Sequence, residues 1–258
     1  MFRNQYTKLW LLLLCALLVI LFIAFFDDIK IGSYTIKKAP IADALNKVHP
    51  DTDQIEEADS VQMADIEIKT DSLPQSIFIF GDSMTHNLGL RLAQYAKYNG
   101  HTIHTVNWDS SNTKIWGESD TLAYFIKKYR PTQIFIALGS NELLLPKPET
   151  RKEYIKKILS VIDTIPYVWI GPPNWKEDTG INKLLASECK RGAFFLSDGM
   201  EFQRGPDKVH PTRRSAALWM DSIMRWMPNS YHPIVMDLPP DSIGFVSSNV
   251  VFLKALNK

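Results

Sequence analysis

The chain has 258 residues, 45% of them hydrophobic and 22% charged, which is enough for one sizeable core plus appendages and too apolar for a disordered protein. Twenty-nine Lys and Arg against 28 Asp and Glu leave a formal net charge of +1, so no overall basic field exists to hold a nucleic-acid backbone, which argues against nucleic-acid binding. Two cysteines, Cys15 and Cys189, in regions of different character exclude a disulfide framework and a cysteine-based zinc site.

After a short tail, residues 1–8, the run from Leu9 to Phe26 holds eighteen consecutive residues with no charge, no Gly and no Pro. That is just long enough to cross a bilayer core as a helix. A buried core helix keeps a polar face, and this run has none. The rival reading is a cleavable signal peptide, whose apolar region spans about 7 to 15 residues and ends at small residues. Here the run is longer and ends in Ala24, Phe25, Phe26, Asp27 and Asp28, a poor cleavage site, so an uncleaved signal anchor over 9–26 is preferred. Arg3, Lys8 and the amino terminus before the span are matched by Lys30, Lys37 and Lys38 after it, so the positive charges tie. The short leading tail and the acidic pair behind the span tip the orientation. Residues 27 onward are expected outside the cytoplasm, facing the periplasm or exterior of a bacterial inner (cytoplasmic) membrane.

Residues 27–75 read as a stem. They contain a short alternating stretch at 29–36, a helical patch near 41–48, and an acidic run between Asp51 and Asp71 in which Lys69 is the only basic residue. Such a run is usually a solvated linker. From Ser76 the pattern changes to short β-rich apolar runs at 77–80, 103–106, 134–138, 167–170 and 193–196, separated by helical stretches at 86–98, 120–129, 149–165, 180–191 and 211–227. Strands alternating with helices predict an α/β domain over 76–228: a three-layer α/β/α sandwich with a parallel sheet. The extension 229–258 contains Pro233, Pro239 and Pro240 and a candidate strand at 244–253, with no task assigned to it.

In open parallel sheets the loops leaving the carboxyl ends of the strands build the site. Strand one is followed by Gly81, Asp82, Ser83; strand three by Gly139, Ser140, Asn141, Glu142; and the last helix is preceded by Asp207, Lys208, Val209, His210. These residue types answer the needs of acyl transfer. A serine hydroxyl is a weak nucleophile until a histidine accepts its proton, and Ser83 and His210 fill those roles. Asp207, three residues before His210, is placed to hold the other ring nitrogen and to stabilise the imidazolium. A tetrahedral oxyanion needs donors, for which the Asn141 side-chain amide and the Ser83 backbone N–H are candidates. The bland alternatives are a capping serine, a capped turn before Pro211 and an Asx turn at Asn141.

These three blocks, in this order and after strands, resemble the SGNH (GDSL-type) hydrolases over about residues 76–227. The resemblance implies a flavodoxin-like α/β/α fold, a Ser83–His210–Asp207 mechanism without metal or organic cofactor, and ester substrates ranging from lipids to acetylated sugars. One block departs. Where the family usually has a glycine whose N–H is the third oxyanion donor, this chain reads Asn107, Trp108, Asp109, Ser110, Ser111, Asn112, Thr113, and Asn112 is the best match to that glycine. Asparagine tolerates positive φ better than most residues, so the donor can survive the change. Trp116, Asn174 and Trp175 follow strands two and four and are candidate substrate-binding residues. Flat rings there stack on sugars or complete a core, and Asn174 binds substrate or shapes a turn. His86, His101 and His104 read as surface or core histidines.

An acyl-enzyme at Ser83 is resolved by water or by a sugar hydroxyl, and the triad alone does not choose. Anchored, single-span members of the resembled family often look like partners of multi-pass membrane acyltransferases. The first expectation is therefore an O-acetyltransferase or O-acetylesterase of a cell-envelope polysaccharide, with an acylated carbohydrate as substrate. Two others stay open: a lipid or thioester hydrolase, and a non-catalytic tethered module that binds a glycan or acyl carrier for such a partner.

Overall fold

The structure is a computed structural model that describes Leu14 and residues 28–31, 34–37, 69–246 and 249–254. The expected span over 9–26 lies outside the described residues except for Leu14, as does the acidic run up to residue 68. Among the described residues no helix is long and apolar enough to cross a membrane. The chain divides into two units, Met1–Met63 and Ala64–Lys258. In the first, β1 (Asp28–Ile31) pairs antiparallel with β2 (Tyr34–Lys37), with Ile29 opposite Ile36.

The second unit is α/β. Its elements are β3 (Ser76–Gly81), α1 (Thr85–Tyr98), β4 (Thr102–Trp108), α2 (Thr113–Glu118), α3 (Thr121–Tyr129) and β5 (Gln133–Ala137). They continue with α4 (Lys152–Ile162), β6 (Tyr167–Ile170), α5 (Ile181–Glu188), β7 (Phe194–Phe195), α6 (Arg213–Trp226) and β8 (Asn249–Leu253). The six strands form one parallel sheet in the order β7-β6-β5-β3-β4-β8. A sheet covered on both faces needs strands that are apolar throughout, which is why β3, β5 and β6 read as unbroken hydrophobic runs. Their alternate side chains feed two cores. Phe78, Phe80, Ile134, Ile136 and Trp169 pack with residues of α2 to α5, such as Trp116, Phe125, Ile158 and Leu185. Ile77, Ile79, Phe135, Val168 and Ile170 pack on the other face with Leu88 and Leu92 of α1 and Trp219, Met220 and Ile223 of α6.

The chain leaves β3 toward β4 on one side and leaves β5 toward β6 on the other, so the loops after β3 and β5 diverge and open a crevice at the carboxyl edge. That crevice is where the Gly81 and Gly139 motifs lie.

Three features differ from the sequence expectation. Helix α2 follows β4 directly; six residues are too few to display a 3.6-residue period, so it reads as loop. Helix α6 starts at Arg213 with Thr212 as its cap, whose hydroxyl accepts from the Ser215 N–H at 3.3 Å, and Pro211 lies just ahead of it. The carboxyl-terminal extension joins the sheet: β8 runs parallel beside β4, from the His104–Asn249 pair to the Trp108–Leu253 pair. The residues leading to it are laced to the turn between α1 and β4, with the Val235 carbonyl 2.8 Å from His101 Nε2 and the Asp237 N–H donating to Asn99 Oδ1 at 2.9 Å.

Candidate active site

Gly81 closes β3 where the strand crowds β5. A Cβ there would lie 1.8 Å from the Ala137 carbonyl oxygen, the atom that accepts the Asp82 N–H at 3.0 Å. Glycine alone allows this approach. The buried Asp82 then takes the Met84 N–H on Oδ1 at 3.0 Å and the Ser140 N–H on Oδ2 at 3.1 Å, so one carboxyl ties the turn after β3 to the turn after β5. Ser83, half-buried, sits immediately before Met84, the N-cap position of α1, at the positive end of that helix.

The second half of the site is a turn ahead of α6. The Lys208 N–H donates to the Gly205 carbonyl at 2.9 Å, and Lys208 is left-handed with φ 58°. Asp207 Oδ1 receives the backbone N–H groups of Val209 (2.9 Å) and His210 (3.0 Å), while Oδ2 lies 2.6 Å from His210 Nδ1. Those hydrogen bonds, the one from the His210 ring first, hold the Asp207 carboxyl down at about 2. An ionised carboxylate only accepts, so the ring proton belongs on Nδ1 and the Nε2 lone pair is free for a donor. That donor is Ser83 Oγ, 2.7 Å away. Arg204 steadies the turn by donating to the Val209 carbonyl and, at 3.1 Å, to the Asn174 carbonyl.

The third block is a 3₁₀ turn, Ser140–Glu142, entered through Gly139 at φ 126°. Asn141 is exposed and its side-chain amide donates to the Ser111 carbonyl at 2.8 Å, which spends one of its two hydrogens. Glu142 is buried beneath and accepts from the Thr113 N–H at 3.0 Å and hydroxyl at 2.6 Å, with Arg151 Nε at 2.8 Å. Burial raises its pKa, opposed by these donors. Asp82 and Glu142 thus bolt the Asn141 turn to the Ser83 turn on one side and to α2 on the other.

The region after β4 differs from expectation. Asn112 is not in a left-handed conformation; it is extended (φ −150°, ψ 177°) and caps α2, its Oδ1 accepting from the Ile115 N–H at 3.0 Å. A capping side chain requires that extended backbone, and the positive φ of this loop falls instead on Ser110, at 61°. Ser110 is the third residue of a turn closed by the Ser111 N–H on the Trp108 carbonyl at 3.1 Å, a place glycine normally takes. Among the described residues the N–H groups of Ser83, Ser110 and Asn112 have no acceptor.

Of the expected substrate-binding residues, Trp116 is a core residue, 1% exposed, packed on Phe80 and Trp108 and donating its indole N–H to Ser111 Oγ at 2.9 Å. Asn174 is engaged by neighbouring segments, donating to Asp198 after β7 at 2.7 Å and accepting from Asn182 of α5 at 3.2 Å. Trp175 packs against both cores and donates to the Ser140 carbonyl at 3.3 Å. A ring large enough to stack on a sugar is equally suited to filling the gap beside a motif loop, and here all three build the scaffold.

The cavity in front of Ser83 and His210, about 580 Å³, opens on the opposite flank. It is walled by Asn107, Asp109 and Ser110 from β4 and its loop, by His86 and Asn87 from the first turn of α1, and by Phe252 from β8. His86 and Asn87 are legible afterwards as the residues one helical turn beyond the serine. Nothing local in the sequence points to Phe252. A larger opening of about 780 Å³ lies at the other end of β4 and β8, beside Thr102, His104 and Asn249, and contains no nucleophile–base pair.

Asp82 also sets a pH dependence. Burial, with Glu142 adding to it and the N–H groups of Met84, Ser140 and Gly139 opposing it, lifts its carboxyl from 3.8 to about 7. The folded chain therefore holds a proton that the unfolded chain releases between those values, and stability falls as pH rises across that window by about 1.4 kcal/mol per unit. Wild type is expected to lose a few kcal/mol between pH 4 and 7 that Asp82→Asn does not lose, read from urea unfolding at both pH values. Parallel pH profiles for the two proteins would show that Asp82 is not the titrating group.

No family model matches this chain, and no curated protein matches it either.

Proposed function

We propose that the chain is a serine-dependent acyl-ester enzyme of the SGNH hydrolase type, with a flavodoxin-like fold, acting on O-acetylated polysaccharide of the cell envelope. The observation that carries this reading is the unbroken relay from Ser83 Oγ through the His210 ring to Asp207, with links of 2.7 Å and 2.6 Å. Ser83 attacks the ester carbonyl while His210 Nε2 takes its proton; His210 then protonates the departing alcohol, and the acyl group rests on Ser83 Oγ. The developing oxyanion is met by the Ser83 N–H and by the second hydrogen of the Asn141 amide. The third donor in this reading is the Ser110 N–H rather than that of Asn112, because Ser110 borders the cavity and Asn112 does not. Water or a sugar hydroxyl, deprotonated by the same histidine, releases the acyl group.

The lining residues, polar types apart from Phe252, favour this substrate class over the lipid or thioester alternative, which wants an apolar trough beside the nucleophile. The proposal includes a signal anchor at 9–26, a domain outside the cytoplasm, and a multi-pass membrane acyltransferase as the source of acyl groups. The test is to incubate the full chain with a chromogenic acetyl ester, with and without oligosaccharide acceptors, and to follow products by mass spectrometry. Acetylated saccharide identifies a transferase and acetate alone an esterase. If wild type and Ser83→Ala are equally inert, the enzymatic reading fails.

A further inference from the structure

We infer that the cavity beside Ser83 is a saccharide subsite that selects a neutral sugar ring, stacked on Phe252 with its hydroxyls on Asp109, and turns away uronate-bearing polymers. The inference rests on the ester-enzyme reading for its setting but on different residues for its content.

A sugar offers two things to a protein: a ring of hydroxyl donors and acceptors, and a patch of C–H bonds on its face. The cavity answers both. Phe252 lines it, 58% exposed, with the His86 ring nearly perpendicular at 5.5 Å, so the phenyl ring is presented to solvent rather than buried. The sheet register places Phe252 directly beside Asn107, the residue that leads into the cavity-lining loop. Asp109 accepts the Asn107 side-chain amide on Oδ1 at 2.7 Å, which fixes the carboxylate and leaves its second oxygen for a ligand hydroxyl. Asn107 itself is 2% exposed, and its Oδ1 has no hydrogen-bond partner. That carbonyl is closed off from solvent, so the free acceptor offered to the cavity is the second oxygen of Asp109. The volume of about 580 Å³ is ordinary for a site that encloses a small ligand.

Charge decides which sugar. Two carboxylates, Asp109 and Asp207, face the cavity, and among the described residues no lysine or arginine lines it. A uronate carboxylate brought in would meet like charge with no cation to pair with, whereas a neutral ring loses nothing. Phe252 and Asp109 reach this place from the last strand and from the loop after β4, so the carboxyl-terminal extension is part of the recognition surface.

Binding is measured by calorimetry at low salt on the full chain carrying Ser83→Ala, which cannot deacetylate the probe. The probes are partially O-acetylated xylotetraose, which is neutral, and partially O-acetylated tetragalacturonate. The neutral probe is expected to bind about tenfold or more tightly than the anionic one, with the gap narrowing as salt is raised. Phe252→Ala is expected to weaken the neutral probe by about tenfold, and Phe252→Tyr to restore it, since both aromatic rings present the same face. Asp109→Asn removes one like charge and is expected to shrink the discrimination between probes. Equal affinity for the two probes, binding of neither, or neutral-probe affinity untouched by both Phe252→Ala and Asp109→Asn overturns the inference. Because the readout is binding to an inert serine variant, its failure is separable from failure of the ester-enzyme reading, which is decided by Ser83-dependent turnover.

Discussion

Ser83→Ala and His210→Ala are each expected to lower turnover of a small acetyl ester by about 10⁴-fold or more at neutral pH. Among the described residues Ser83 Oγ is the only hydroxyl hydrogen-bonded to the His210 ring, and Ser83 lines the 580 Å³ cavity, so no neighbouring hydroxyl replaces it. Without His210 the serine must ionise unaided, and its hydroxyl is far too weakly acidic for that near neutrality. Because the two act as one unit, the double variant is expected to be no slower than either single variant, whatever residual rate the oxyanion donors and substrate binding supply. Stability is a separate readout. Ser83→Ala removes one part-buried hydrogen bond, a loss of about 1 kcal/mol or less, and His210→Ala removes that one and the exposed one to Asp207, so the melting transition moves little. Stopped turnover with an intact fold is the signature of the mechanism. A variant retaining more than a tenth of wild-type turnover removes its residue from the reaction.

The next largest effect belongs to Asp207→Asn, for which a loss of about 10³- to 10⁴-fold in kcat is expected with KM little altered. The amide oxygen can still receive the Val209 and His210 N–H groups, so the turn is preserved. The other position of the side chain, however, becomes an NH₂ that donates toward Nδ1. Nδ1 must then be the acceptor, the ring proton moves to Nε2, and the nitrogen facing Ser83 can no longer take a proton. The carboxylate in wild type is held at about 2 chiefly by the His210 hydrogen bond, so it stays ionised through neutral and mildly acidic pH and does not itself shape the rate profile there. The Asp207 side chain is 51% exposed, so its loss is expected to leave stability almost unchanged. A rate within tenfold of wild type would mean that something other than Asp207 orients the imidazole.

Much of the framework is legible in residue order. Strands β3, β5 and β6 announce themselves because a strand buried on both faces must be apolar at every position, and that leaves runs such as Ile77, Phe78, Ile79, Phe80. The three polar blocks are legible because each follows such a run and each needs particular residues for local reasons: Gly81 for its approach to Ala137, Asp207 for the turn it caps and the ring it holds. Short or sheet-dependent pieces are not legible in the same way. Helix α2 is too brief to show a period, and although the apolar run 193–196 marks a strand, only Phe194–Phe195 of it pairs with β6.

What the residue sequence determined by itself, then, is the α/β class, the two-sided burial of the central strands and the Ser83, Asn141, Asp207 and His210 motifs, because each of these is written in spacings of a few residues. Tertiary structure alone decided three further things: that Trp116, Asn174 and Trp175 serve the scaffold, that Ser110 rather than Asn112 carries the positive φ, and that Phe252 stands across the cavity from Ser83. Whether a tryptophan faces a core or a solvent-filled cleft, and which strand closes the edge of a sheet, depends on contacts between segments far apart in the chain. No local pattern of residues records those contacts.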